Sequence, residues 1–309
     1  MKKILITGIG GDIAQGVATI LRENRPEIQL IGVDVHAQHG GHLFVDHFSI
    51  MPSASDSNYL NALKTIVSKH AVDAVIPMSE PELGASLPFL ELMPGVKWIT
   101  AGKRVVEAGL DKLETMIALG ELGVAVPWTK LVTEGYPIAY PCILKNRTGS
   151  GSRAVFVVNC NDDADYLVKR YPDAIFQELL EPADREVTCA VYRRNDGEVS
   201  TLLMLRRLTG GFTGWAKVID DAETLQMCEK IAKGLDLRGS MNIQLRLTDK
   251  GPRVFEINPR FSSTVLMRHR IAYTDVLWAI EEAEGKSINF PKIAQDQMMV
   301  RLQGAAVYS

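Results

Sequence analysis

The sequence predicts an α/β protein extended by an α+β half: an N-terminal doubly wound parallel sheet, then a region of antiparallel strand pairs. Over the first hundred residues, short apolar runs alternate with stretches of helical spacing, as parallel strands joined by crossover helices require. Beyond them, strand–turn–strand units take over with helices between or after them, which is the pattern of α+β structure.

In chain order, residues 4–7 form an apolar strand that stops at Gly8. Residues 12–24 follow as a helix with Ile13, Val17, Ile20 and Leu21 at helical spacing. Strands are expected at 30–35, 72–78 and 97–100, and helices at 59–70, 82–93 and 105–122, the last stopped by Gly123. The paired strands are 141–145 with 154–158, 186–193 with 200–206, and 240–247 with 253–258. Helices are expected at 163–170, 222–235 and 264–284. The change of texture puts a domain boundary near residues 100–110, dividing 1–105 from 106–309.

Composition narrows the classes. The 309 residues are 46% hydrophobic and 23% charged, enough for sizeable cores. Lys plus Arg number 34 against 37 Asp plus Glu, so the net charge of −3 gives no reason to expect nucleic acid or an anionic membrane as partner. The four cysteines are scattered without a CxxC pair, which reads as thiol usage in a reducing compartment. No apolar run reaches the ~20 residues of a membrane helix. No signal peptide precedes the first strand, so a cytoplasmic protein is expected.

Two early motifs admit competing readings. Gly8, Gly11 and Ala14 match a GxxGxxG/A dinucleotide spacing, with Asp34 ending the second strand where a ribose acceptor would sit. That reading makes the protein a nicotinamide-dependent oxidoreductase or epimerase; a plain tight βα turn explains the glycines equally well. No YxxxK accompanies them, Tyr166 with Arg170 being the nearest approach. His36, His39, His42 and His47 suggest zinc or nickel, but they lie in a loop-like stretch without helical i, i+4 geometry.

The later motifs point to phosphate and metal. Residues 146–153 (NRTGSGSR) join two strands; such a loop can close over polyphosphate through its backbone N–H groups, and a flexible hairpin is the alternative. Lys145 leads into it and Arg153 ends it, both able to meet phosphate. Neither a Walker A loop nor the HRD and DFG of a protein kinase is present. The strongest signal is the hairpin 240–247/253–258. Strand alternation sets Asn242 and Gln244 on one face, and Glu256 with Asn258 on another, Phe255 and Ile257 pointing opposite. A five-residue turn at 248–252 would bring Gln244 opposite Glu256 and Asn242 opposite Asn258. Oxygen donors with one carboxylate suit a hard cation shared with substrate phosphates.

With these motifs in this order, the chain resembles the ATP-grasp superfamily and, within it, the carbamoyl-phosphate-synthase-like group. Residues 75–83 (VIPMSEPEL) and the Gly8 loop sit as in the pre-ATP-grasp domain of that family. The resemblance implies that 106–309 is a two-lobed ATP-grasp domain, its small lobe at about 110–180 and its large lobe at about 181–309. It implies nucleotide contacts at Lys112, where a helix capping box of Asp111 with Glu114 is the alternative, and at Lys145, Thr148, Gly149, Ser150, Gly151, Ser152 and Arg153. The adenine hinge would lie near Glu178 and Leu180, and Glu186 would accept from the ribose hydroxyls. Gln244, Glu256 and Asn258 would hold Mg²⁺, two ions with Mn²⁺ as an acceptable substitute, and Arg260 and Lys145 would serve the transferred phosphoryl group.

The activity implied is an ADP-forming carboxylate–amine ligase working through an acyl phosphate. Small-molecule acids and amines are its expected partners, and a homo-oligomer is compatible with it. A catalytically silent nucleotide-binding protein is the further alternative. A single unit departs from carbamoyl phosphate synthase, whose large subunit resembles two such units. Arg206, Arg207 and Arg268 are candidates to receive a substrate carboxylate and Trp215 to form a wall, with surface pairing or core packing as the alternative for each.

Overall fold

Apolar strands without alternation bury both faces, and only the middle of a covered parallel sheet offers that. In a computed structural model describing residues 1–88, 93–149, 154–302 and 304–307, β1 (Lys3–Ile6), β2 (Gln29–Asp34) and β4 (Ala74–Ile76) take those places. With β3 (His47–Ile50) and β5 (Lys97–Trp98) at the edges, the all-parallel order is β3-β2-β1-β4-β5. The order reverses between β1 and β4, so the loops leaving these strands face one crevice. Helices α1 (Asp12–Asn24), α2 (Tyr59–His70) and α3 (Glu80–Ser86) supply the crossovers.

After α4 (Lys103–Gly109) and α5 (Lys112–Glu121), a four-stranded antiparallel sheet is built in the order β6-β9-β7-β8. Its strands are β6 (Thr129–Leu131), β7 (Cys142–Asn146), β8 (Val155–Val158) and β9 (Ala174–Glu178), with α6 (Asn161–Arg170) packed on it. The six-stranded sheet comprises β10 (Glu186–Arg193), β11 (Val199–Thr209), β12 (Phe212–Ile219), β13 (Gly239–Thr248), β14 (Gly251–Asn258) and β15 (Met298–Val300). Its order is β14-β13-β10-β11-β12-β15.

Alternation gives this sheet two apolar faces. Val187, Cys189, Ile243 and Val254 pack on α4, α5 and α7 (Ala222–Gly234). Tyr192, Met204 and Val218 point the other way. They share a core with Ile4, Ile20 and Leu21 of the N-terminal unit and with α8 (Val265–His269) and α9 (Asp275–Ala283). The parallel sheet and the large sheet are therefore joined by one continuous apolar core.

Several elements differ from expectation. The helix expected at 105–122 is broken: Asp111 takes extended backbone and accepts from the N–H groups of Leu113 and Glu114, capping a new helix. The one expected at 264–284 is also two helices, because Ala272 is left-handed and the chain turns back to bring Arg268 onto Asp275. The helix expected at 82–93 begins earlier, at a capping box between Ser79 and Glu82; residues 89–92 lie outside the described residues. Strands β3, β6, β9, β12 and β15 were not expected.

The hairpin turn is tighter than expected: Thr248 pairs with Gly251, leaving two residues rather than five. That alone would shift every pair by one. A bulge between Gln244 and Leu245 restores the register, and Gln244 faces Glu256 and Asn242 faces Asn258. The extra residue is Phe255. It does not point opposite Glu256 into the core; both side chains are half-buried on the site side.

Candidate functional site

One face of the large sheet is left without an apolar cover where β10, β13 and β14 run side by side, and the small sheet stands over it. Lys145, on β7, crosses the gap: its Nζ donates to the carbonyl of Phe255 at 3.1 Å and stands 5.7 Å from the Phe255 ring centre. The bulge supplies that acceptor. Burial pushes Lys145 down to about 8, opposed by Glu256 and reinforced by Lys112. Lys112, at the start of α5, has its Nζ 4.0 Å from Glu256 Oε1 and donates to the carbonyl of Gly149 at 2.6 Å. Thr148 bridges to Asp111, and Arg147 pairs with Asp111 at 2.6 Å and Glu114 at 3.5 Å, holding the near end of the glycine loop against α5. Ser150, Gly151, Ser152 and Arg153 lie outside the described residues.

Further along the face, two arginines grip Glu186. Arg206 reaches Oε1 through Nε and a terminal nitrogen at 2.9 and 2.7 Å, and Arg246 reaches Oε2 at 2.7 Å. Arg206 also donates to Gln244 Oε1 at 2.9 Å, and Arg246 to the carbonyl of Leu180 at 2.6 Å. Glu178 accepts from the N–H of Trp128 at 3.3 Å and lies 3.5 Å from Arg253. Arg246 and Arg253 were missed, although Arg246 follows Asn242 and Gln244 in the same alternation.

Asn242 donates to Thr188 Oγ1 and the Cys189 carbonyl, while its Oδ1 and the Nδ2 of Asn258 across from it are buried without a partner. Buried polar atoms are nearly always satisfied, so such a pair marks a place where something else binds. Among the described residues no group of three or more His, Cys, Asp or Glu could hold a metal. Glu256, Asn258 and Gln244 offer oxygen only, with one carboxylate. That set suits a hard cation arriving with polyphosphate rather than one held by protein alone.

Arg260 closes the face. It is 10% exposed, its Nε is buried without a partner, and a terminal nitrogen lies 3.3 Å from Glu80 Oε1 on α3. Beside it, a cavity of ≈ 190 Å³ opens between Trp98, Tyr192, Ser240 and Glu282.

The candidate substrate groups scatter. Arg268 is 1% exposed and bonded to Asp275, Ser262 and Thr264, so it is a buried structural cation and no receiver of substrate. Arg206 is likewise committed to Glu186 and Gln244. Arg207 is exposed and donates to the Asp184 carbonyl; Trp215 pairs with it across β11 and β12.

The N-terminal glycine loop is met from inside. Gly10 N–H donates to Asp34 Oδ2 at 2.8 Å, and Asp34 Oδ1 accepts from Val35 N–H at 2.7 Å. A Cβ at Gly10 would stand 2.5 Å from the His39 ring. Asp34 is thus bonded within the loop, and the His39 ring packs directly on Gly10. The histidines do not converge: His39 and His42 lie against Phe48, and His47 against His70.

Residues 110–264 match the family model described as ATP-grasp domain, and residues 4–87 the one described as PylC-like, N-terminal domain. The carbamoyl-phosphate synthase of Methanobrevibacter smithii is 24% identical over 157 residues, 48% of this chain and 41% of that protein. The D-alanine–D-alanine ligase of Mycolicibacterium gilvum is 26% identical over 225 residues, 61% of each. The chain therefore spans about two fifths to three fifths of the length of these curated relatives. Among solved structures, N5-carboxyaminoimidazole synthetase from Staphylococcus aureus complexed with ADP superposes with a TM-score of 0.82 at 18% identity, covering 97% of this chain and 82% of that one.

Proposed function

The chain belongs to the ATP-grasp family, and from that membership and the geometry of its cleft we propose that it is an ADP-forming carboxylate–amine ligase. The observation that carries the proposal is the register of β13 and β14, which sets Gln244 against Glu256 and Asn242 against Asn258. Lys112 and Lys145 face them, and Arg260 stands at the end.

In this reading ATP lies between the two sheets. Its adenine meets the backbone near Glu178 and Leu180, and its ribose lies toward Glu186. Arg206 and Arg246 take three of the about four lone-pair sites of Glu186, so this carboxylate is pre-oriented, with one site on Oε2 left for a hydroxyl. Lys145 and Lys112 neutralise the inner phosphates, and residues 148–153 cover them. Glu256, Asn258 and Gln244 would hold two magnesium ions, or manganese, together with the phosphates, and magnesium when bound neutralises the outer phosphate charge. Arg260 meets the γ-phosphoryl group as a substrate carboxylate attacks it. Phosphoryl transfer needs little more from protein than this positioning and charge. The acyl phosphate then reacts with an amine and releases phosphate. Shielding by the loop matters because water would otherwise hydrolyse the intermediate.

ADP release from ATP and Mg²⁺ under a panel of carboxylic acids, each with and without a panel of amines, tests the reading. Release stimulated by an acid–amine pair is expected. Binding of ATP with no acid-dependent turnover anywhere in the panel would overturn it.

A further inference from the structure

Glu80 belongs to the N-terminal unit yet ends at the far edge of the large-sheet face, and the reaction above gives it no task. Its carboxylate is 6% exposed and stands 3.3 Å from Arg260. Among the described residues Arg260 is its hydrogen-bond donor, and the contact is long for a charge-assisted bond. Burial raises its pKa above the usual carboxylate range; Arg260 and then Lys112 oppose this, and Glu256 adds to it. The group is thus a buried carboxylate with one loosely held cation.

An anion on Arg260 changes that balance. A guanidinium that turns its donors to a phosphoryl group gives less to Glu80, and a buried carboxylate short of a cation is costly. A second cation beside it would restore the balance, and the reaction requires one. At neutral pH an aliphatic amine arrives as ammonium, which cannot attack a carbonyl until it loses a proton.

We propose that Glu80 is the residue that receives the amine substrate, binding its ammonium and taking one proton from it. The proposal rests on the ligase reading. The freed amine forms the C–N bond to the acyl carbon, the carbon–oxygen bond to phosphate breaks, and the departing phosphate takes up the second nitrogen proton. The proton on Glu80 returns to solvent with product release. Arg260 and Glu80 then act in sequence at one place, first on the phosphoryl group and afterwards on the nucleophile.

Hydroxylamine separates the two roles, because it is uncharged at neutral pH and traps an acyl phosphate as a hydroxamate without a base. The wild-type chain and Glu80→Gln are compared with ATP, Mg²⁺ and the common L-amino acids and D-alanine as acids. Either hydroxylamine or the same amino acids serve as nucleophile. In Glu80→Gln we expect coupling to the amino acids to fall by at least about 100-fold while hydroxamate yield changes no more than about threefold. The residual coupling should climb with pH as free amine accumulates. Retained hydroxamate formation shows that the variant is folded.

Equal loss of hydroxamate and coupling would overturn the proposal, leaving Glu80 a holder of Arg260. Unchanged coupling would overturn it too. If the wild-type chain forms no hydroxamate with any of these acids, the ligase reading fails with them, a result distinct from either outcome in the variant.

Discussion

The N-terminal glycine loop and the β13–β14 face both stand where strands end in small or polar residues, and both read as places for a phosphate. They differ in what meets their polar groups. In the loop, Asp34 takes the Gly10 N–H, Gln15 donates to the Gly10 carbonyl, and Glu82 accepts from Thr7, leaving His39 Nε2, 3.8 Å from Asp34, as the atom buried there without a hydrogen bond among the described residues. On the face, Asn242 Oδ1, Asn258 Nδ2, Arg246 Nε and Arg260 Nε are buried with no partner. The loop meets most of its own polar groups, as scaffold does, whereas four unmet donors and acceptors gathered on one face suit a surface that binds something. Motif shape alone does not distinguish the two.

The largest effect that would test this contrast is expected from Arg260→Ala, which should lower kcat for acid-dependent ADP release by about 10³-fold. It also leaves Glu80 as an uncompensated buried charge, so thermal melting should show a loss of about 3 kcal/mol. Glu256→Gln keeps the shape and removes the carboxylate charge. ADP release in it should fall by about 10²-fold at saturating Mg²⁺, while the melting temperature stays near that of the parent.

Lys145→Met should part stability from binding. The fall of Lys145 from 10.5 to about 8 corresponds to about 3 kcal/mol. Between those values the unfolded chain holds more protons than the folded one, so this lysine makes stability rise with pH from about 8 to 10.5 and costs stability below. Replacing it should therefore raise stability at pH 7, less about 1 kcal/mol for the Phe255 carbonyl that loses its donor. Urea titration at pH 7 and pH 10 reads the change, and the variant should lack the pH-dependent increment. ATP affinity, measured by calorimetry, should drop in the variant, and in the parent chain should weaken as pH passes about 8.

The smallest catalytic effect is expected on the scaffold side. Asp34→Ala should destabilise by about 1–3 kcal/mol through the unpaired Gly10 N–H, with kcat per folded molecule unchanged. A kcat lowered as strongly as by Glu256→Gln would erase the distinction between the two regions.

The sequence shows the face more fully than the paths that lead to it. Alternation placed Asn242, Gln244, Glu256 and Asn258, because period two is a property of the backbone. The expected pairing is found, but by a different route: the assumed turn was too long by three residues, and an unforeseen bulge compensated. Bulges leave no local signature here, so the inward placing of Phe255 and its role as acceptor for Lys145 were not readable. Helical periodicity running through both breaks hid the one at Ala272 and outweighed the capping signal of Asp111 with Glu114 at the other. Arg268 looked like a receiver of anions because its partner Asp275 lies seven residues on, beyond a turn that the pattern did not reveal. Glu80 lies 180 positions from Arg260 in the chain, and only the shared core brings them together.

That cross-contact between Glu80 and Arg260 bears on how the cleft opens. Parting the N-terminal unit from the large sheet would strand two opposite charges and expose a continuous apolar seam. Lifting the small sheet breaks the exposed link from Lys112 to Gly149 and part-buried ones from Lys145 to Phe255, Arg147 to Asp111 and Arg253 to Glu178, with no apolar core shared between the two sheets among the described residues. In the proposed function, nucleotide exchange would therefore open the cleft at the small sheet, with the N-terminal unit staying on the large one as a jaw.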